Sequence, residues 1–187
     1  MRDALKDYFL SGAWKEFVRD VSNFLDSNLC YLVMDYRENL WSTDNTNPIC
    51  MATQSSTKGR RLCRDDREAI HRLCFERGNT TFSVCHMNFT RFNIPIQISD
   101  GSTISFGMCG LRCHRSLPAT VLDHGEALGW KREELIRLYE TNPMIPPEKL
   151  REFCRILNHL FSSITELVQL KEGLKQLLDG DKASGVA

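Results

Sequence analysis

Apolar residues at Leu150, Phe153, Leu157, Leu160, Ile164, Leu167, Leu174 and Leu178 fall three and four positions apart, with Lys171 interrupting the seam. That spacing predicts one helix from about Glu148 to Leu178, patterned like a coiled coil for about four heptads. Its first half is expected on the domain's own core. Its second half, from Ile164 to Leu178, is expected on a second copy of the chain, giving a homodimer. The alternative is a single helix packed throughout on its own domain. The chain thus divides into residues 1–147 and a C-terminal helix with its tail, 148–187, in which Gly180 to Ala187 reads as a frayed end.

Upstream, the periodicity changes character twice. Leu5, Tyr8, Phe9, Trp14, Phe17, Val18, Val21, Phe24 and Leu25 recur at helical spacing, with Ser11-Gly12 as a break. Cys30 to Asp35 and Leu40 to Ser42 then read as a strand pair around the Arg37-Glu38-Asn39 turn. Asp44 to Lys58 is polar, contains Pro48 and reads as an irregular segment carrying Cys50. Arg60 to Arg77 is expected to be a helix stopped by Gly78. Three strands come next, over Thr80–His86, Phe92–Ser99 and Thr103–Arg112, the last two joined by a tight turn at Asp100-Gly101. Pro118 to Tyr139 reads as helical with a break at Gly129. The order predicts an α+β fold in which a PAS/GAF-like antiparallel sheet is flanked by helices, expected on one side, with a long C-terminal helix.

The chain has 187 residues, enough for one domain and an extra helix or two. Lysine plus arginine and aspartate plus glutamate number 24 each, so no global field draws the chain to nucleic acid or an anionic membrane. The basic cluster Lys58, Arg60, Arg61, Arg64 is offset by Asp65, Asp66 and Glu68, and reads as a solvated helix face. No apolar window reaches the roughly 20 residues that span a bilayer, and the first residues carry no signal-peptide pattern. A cytoplasmic location is expected.

Eight cysteines therefore call for an account other than a disulfide framework. Cys50, Cys63, Cys85 and His86 come from a loop, a helix start and a strand end. Together they are candidate ligands for zinc, an iron–sulfur cluster or another metal centre. Adjacent residues of a regular strand point to opposite faces, so Cys85 and His86 reach one metal only where the strand ends or bulges. The preferred reading makes these thiols the wall of an apolar pocket. Cys109, flanked by Gly107 and Gly110, is a pocket residue because a ligand can approach closely there. Cys30, Cys74 and Cys154 read as core fillers, and His71, His124 and His159 as surface or internally satisfied histidines. No nucleophile elbow, phosphate loop or helical zinc motif is present, and the chain is not expected to be an enzyme. A thiol enzyme built on Cys85 is the minority reading.

The ordered set Cys50, Cys63 with Asp66, Cys85-His86, Pro95-Ile96 and the glycine-bearing strand Gly107 to Leu111 resembles the PocR-type sensory domain, a PAS-related module of prokaryotic signalling proteins. Glu126-Ala-Leu-Gly129, Glu133-Glu134-Leu135 and Pro146-Pro147-Glu148 extend the likeness, which covers roughly residues 10 to 168. The resemblance implies a cytoplasmic sensor of small organic molecules, proposed to be simple hydrocarbon derivatives such as short diols. It also implies an attached output region, DNA-binding or histidine kinase; no helix-turn-helix or kinase motif is visible in this chain. Residues 1–147 would be the sensory domain and 148–187 the signalling and dimerisation helix. The implied ligand site is Cys85, His86, Met87, Phe89, Pro95 and Cys109, with Cys50 and Cys63 in the site region. The chain departs from the family pattern after Cys85-His86. Bulky Met87 and Phe89 would narrow a pocket there, and Arg91 stands where an acidic residue is usual. An anionic or sulfur-containing ligand is one consequence.

Overall fold

The computed structural model describes residues 8–9, 11–25, 30–35, 39–42, 47–98 and 102–184. The Arg37-Glu38 and Asp100-Gly101 turn positions, Leu5, and the side chains of Cys30 and Leu178 lie outside the described residues. The elements are α1 (Gly12–Leu25), β1 (Cys30–Asp35), β2 (Asn39–Ser42), α2 (Pro48–Ser55), α3 (Thr57–Arg77), β3 (Thr81–Val84), β4 (Thr90–Gln97), β5 (Thr103–Leu111), α4 (Ala119–Glu126), α5 (Arg132–Thr141) and α6 (Pro147–Ser184). Five antiparallel strands form one sheet in the order β2-β1-β5-β4-β3. The fold is α+β, with the expected long C-terminal helix.

Alternation along β4 and β5 sends successive side chains to opposite faces. Phe92, Ile94, Ile96, Ile104, Phe106 and Met108 join Trp14, Val18, Leu150, Phe153, Leu157 and Phe161 in one core between the sheet, α1 and α6. Each of the larger side chains contributes about 1.5–3 kcal/mol by burial. Asn93 and Ser105 belong to the opposite face, where both reach His71 of α3. Helices therefore cover both faces, not one. Helix α3 is strongly polar in sequence, and its inward stripe of Cys63, Asp66, Arg67 and Ile70 meets a face that is itself partly polar.

Local chemistry explains the other departures. Pro48, read as a loop marker, occupies the first turn of α2, where its missing N–H costs nothing. Asn47 caps that helix, its Oδ1 accepting from the amides of Ile49 (3.0 Å) and Cys50 (3.4 Å). Ser56 ends α2 and caps α3 by accepting from Gly59 N at 3.0 Å. Gly59 lets the two helices close up, since a Cβ there would lie 1.9 Å from Thr53 O. Gly78 stops α3 with φ 61°, as the sequence predicts. Strand β3 ends at Val84, two residues earlier than expected.

Candidate functional site

Strand β3 runs directly into a tight loop. The amide of Cys85 donates to Phe89 O and that of Asn88 to Cys85 O, each at 2.9 Å. Asn88 takes φ 61°, a left-handed conformation that asparagine tolerates better than most residues. Its side chain donates to Tyr139 Oη at 3.2 Å and Ser116 O at 3.3 Å, and Tyr139 Oη lies within 3.3 Å of Asn88 O. Met87 and Phe89 insert among Ile49, Cys50, Leu122, Leu135 and Tyr139 in a second apolar cluster. The loop is thus anchored from behind by α2, α4 and α5. That leaves His86 turned to α3, where it meets Asp66 and Cys63, while Cys85 packs against the second cluster.

A partly enclosed cavity of ≈ 80 Å³ lies between this loop, α2, α3 and the polar face of β4 and β5. Cys50, Cys63, Cys85 and Cys109 all border it, as do His86 and Phe89. These six expected site residues are brought to one place. Met87 packs in the second cluster, and Pro95 lines a separate groove beside Asn158 and Phe161 of α6. The cavity exceeds the roughly 10–15 Å³ that one water needs and falls short of the ~150 Å³ cavity that admits benzene.

Its polar wall is a connected network. Asp66 Oδ2 accepts from His86 twice, from the ring Nδ1 at 2.5 Å and from the backbone amide at 3.0 Å. Arg91 places Nη2 3.4 Å from Asp66 Oδ1 and donates from Nε to Ser83 Oγ at 2.8 Å. Burial pulls the Asp66 carboxyl upward, but the His86 hydrogen bonds and the Arg91 charge outweigh it and hold the group below its ordinary value. With Nδ1–H given to Asp66, His86 Nε2 faces Cys63 Sγ at 3.9 Å. Burial, reinforced by Cys85 and Asp66 and opposed by Arg67 and Arg91, pushes the Cys63 thiol up to about 11. Burial also raises Cys85, against the opposing amides of Met87 and Phe89. Both sulfurs are neutral thiols near pH 7.

Behind the cavity, Asn93 Nδ2 donates to Ser105 Oγ at 3.1 Å and lies 3.5 Å from His71 Nδ1. Ser105 Oγ sits 2.7 Å from that same nitrogen. An amide nitrogen only donates, so Nδ1 is the acceptor and the ring is neutral. Burial lowers His71 to about 4, consistent with that state. Gly107 packs against Asn93: a Cβ there would come within 2.8 Å of Asn93 Oδ1.

Sequence reasoning missed Gln54, Arg67, Ile70 and Asn93 as wall residues, and it used Asp66 only as a helix-start marker. One signal was available: Cys63, Asp66, Arg67 and Ile70 are spaced 0, 3, 4 and 7 and share a helix face. Arg91, read as a reversed charge, is a buried partner of Asp66. Cys74 and Cys154 are buried thiols raised to about 12, as core fillers should be. Among the described residues no group of three or more His, Cys, Asp or Glu side chains is arranged to hold a metal ion. Nor is any described helix long and apolar enough to cross a membrane.

The family model described as "Sensory domain found in PocR" matches residues 11–169. No curated protein and no solved structure matches the chain.

Proposed function

We propose, from the premise that the chain belongs to the family of sensory domains found in PocR, that it senses a small organic molecule in the cavity between α3 and the sheet. The observation carrying this reading is the back-to-back placement of cavity and helix. Arg91, Asn93, Gly107 and Cys109 border the cavity, while their strand neighbours Phe92, Ile94, Phe106 and Met108 pack in the core with Phe153 and Phe161 of α6. A ligand that contacts one arrangement of β4 and β5 better than another shifts the equilibrium between them. The same strands carry that shift into α6.

Beyond the core, α6 exposes Leu167, Leu170 and Leu174 by 65, 65 and 61%. Three leucines at that spacing form an apolar stripe that a second copy of α6 covers in a homodimer. The ligand-dependent output is then a change in how two α6 helices meet, passed to a DNA-binding or kinase region. The cavity's size suits a hydrocarbon derivative of a few heavy atoms, such as a short diol.

The rival reading is a metal-centred or thiol redox sensor on Cys50, Cys63, Cys85 and His86, with zinc or an iron–sulfur cluster as its centre. The adjacency of Cys63 and His86 favours it: with Nδ1–H given to Asp66, the Nε2 lone pair faces Cys63 Sγ and could bind a metal beside it. Elemental analysis of protein purified without oxygen separates the two, since the pocket reading expects metal-free protein that retains its fold. Thermal-shift screening with short diols then tests the pocket. Stabilisation of about 2.7 kcal/mol is expected at a hundredfold excess over Kd, and it should disappear in Cys109→Phe, which fills the cavity. Equal stabilisation of that variant would place binding elsewhere.

A further inference from the structure

Cys63, His86 and Asp66 make a thiol–imidazole–carboxylate chain along the cavity wall, with Sγ to Nε2 at 3.9 Å and Nδ1 to Oδ2 at 2.5 Å. The sulfur can pass its proton to Nε2, and the carboxylate fixes the tautomer that makes Nε2 the acceptor. Arg91 in turn holds the carboxylate's other oxygen. No part of the ligand-binding reading requires this order of groups. Hydrogen-bonding a diol needs no nucleophile beside a base.

We propose that the domain captures a small aldehyde as a reversible adduct on Cys63, an inference that rests on the cavity being the ligand site. The Sγ–C bond forms as the carbonyl π pair moves to oxygen. The thiol proton passes to His86 Nε2 and from there to that oxygen, leaving a neutral hemithioacetal. The reaction is an addition, so it needs no oxidant, reductant or leaving group. Arg67 and Arg91 border the same cavity and offset negative charge on the oxygen while it lasts. Cys63 touches the reacting carbon and His86 the moving proton, whereas Asp66 is a positioning residue. Cys85 borders the cavity too, but its sulfur faces the amides of Met87 and Phe89. A readily reversed bond suits a sensor: occupancy follows aldehyde concentration.

The test adds acetaldehyde carrying carbon-13 at the carbonyl to the intact protein and records carbon NMR spectra, with propane-1,2-diol in parallel thermal-shift assays. Wild type should give one saturable resonance in the sp³ region, absent from Cys63→Ala and retained in Cys85→Ala. His86→Gln should slow exchange between free and bound aldehyde on the order of 10²-fold while changing its equilibrium far less. Asp66→Asn should slow exchange similarly and shift its pH profile, which a purely structural role would not do. If Cys63→Ala fails to fold, a nuclear Overhauser contact between the captured aldehyde proton and the Cys63 Cβ protons in wild type decides instead. A resonance that survives Cys63→Ala, or a contact to another cysteine, overturns the assignment. Diol stabilisation without any adduct overturns covalent capture and leaves the ligand site standing. Neither adduct nor stabilisation overturns both.

Discussion

The two faces of the sheet are built from the same two strands and by opposite rules. Against α1 and α6, β4 and β5 present Phe92, Ile94, Ile96, Ile104, Phe106 and Met108 to the apolar side chains of those helices. Against α3 they present Arg91, Asn93, Ser105, Gly107 and Cys109, with a cavity between. The dry face gains its stability from close packing, where a vacancy is costly. The other face satisfies its polar groups with one another, Asp66 with His86 and Arg91, Asn93 with Ser105 and His71. It leaves space that dispersion forces alone would have closed. Close packing is concentrated on one face and the cavity on the other, one residue apart along each strand.

That division is open to attack, most severely on the dry face. Phe106→Ala should cost about 3–5 kcal/mol in urea unfolding, because Phe106 is fully buried against Trp14 and Phe161. A loss below about 1 kcal/mol would remove the claim that this face holds the fold together.

Acid should act through the other face. His71 is lowered to about 4 from 6.5 and is only 5% exposed. The unfolded chain therefore binds the proton more readily than the folded one. Its stabilising effect is complete above pH 6.5 and is lost as pH falls towards 4, by about 3 kcal/mol. Asp66, held below its ordinary value, adds loss in the same direction at lower pH. Denaturation midpoints measured from pH 7.5 down to 4.5 should fall, and His71→Gln should flatten that descent.

A smaller effect is expected at Gly107. Gly107→Ala brings a methyl against Asn93 and should cost about 1–3 kcal/mol, with Asn93 displaced towards the cavity and ligand binding weakened more than stability. Retention of full affinity would separate Asn93 from the site. Smallest of all, Cys63→Ala should change stability by less than about 1 kcal/mol, since Cys63 is only half-buried and its imidazole neighbour stays engaged with Asp66.

The dry face was the more legible in sequence. Phe153 and Leu157 announce themselves by spacing, and Trp14, Val18 and Val21 do the same in α1. The cavity face was legible only in part. Cys50, Cys63, Cys85, His86 and Cys109 stood out by residue type, and the likeness to a known family set the same residues in one site region. Asp66 and Arg91 were noticed singly but not as partners, because a charged residue on a polar helix or strand end looks solvated until its partner is known. Asn93 and His71 meet across 22 residues of sequence through a contact that no local pattern encodes. The end of β3 at Val84 was invisible for a related reason. It depends on Asn88 accepting a left-handed conformation and on Tyr139, fifty-one residues away, holding it there.

The central claim is that the cavity of the polar face is where this sensory domain meets its ligand. A proton–nitrogen correlation spectrum of uniformly labelled protein, titrated with propane-1,2-diol and then acetaldehyde, tests it directly. The account predicts saturable shifts at Cys63 to Ile70, Cys85 to Asn93 and Gly107 to Gly110, followed by smaller ones along α6 from Phe153. Saturable shifts confined to other surfaces, with those segments unmoved, would contradict it.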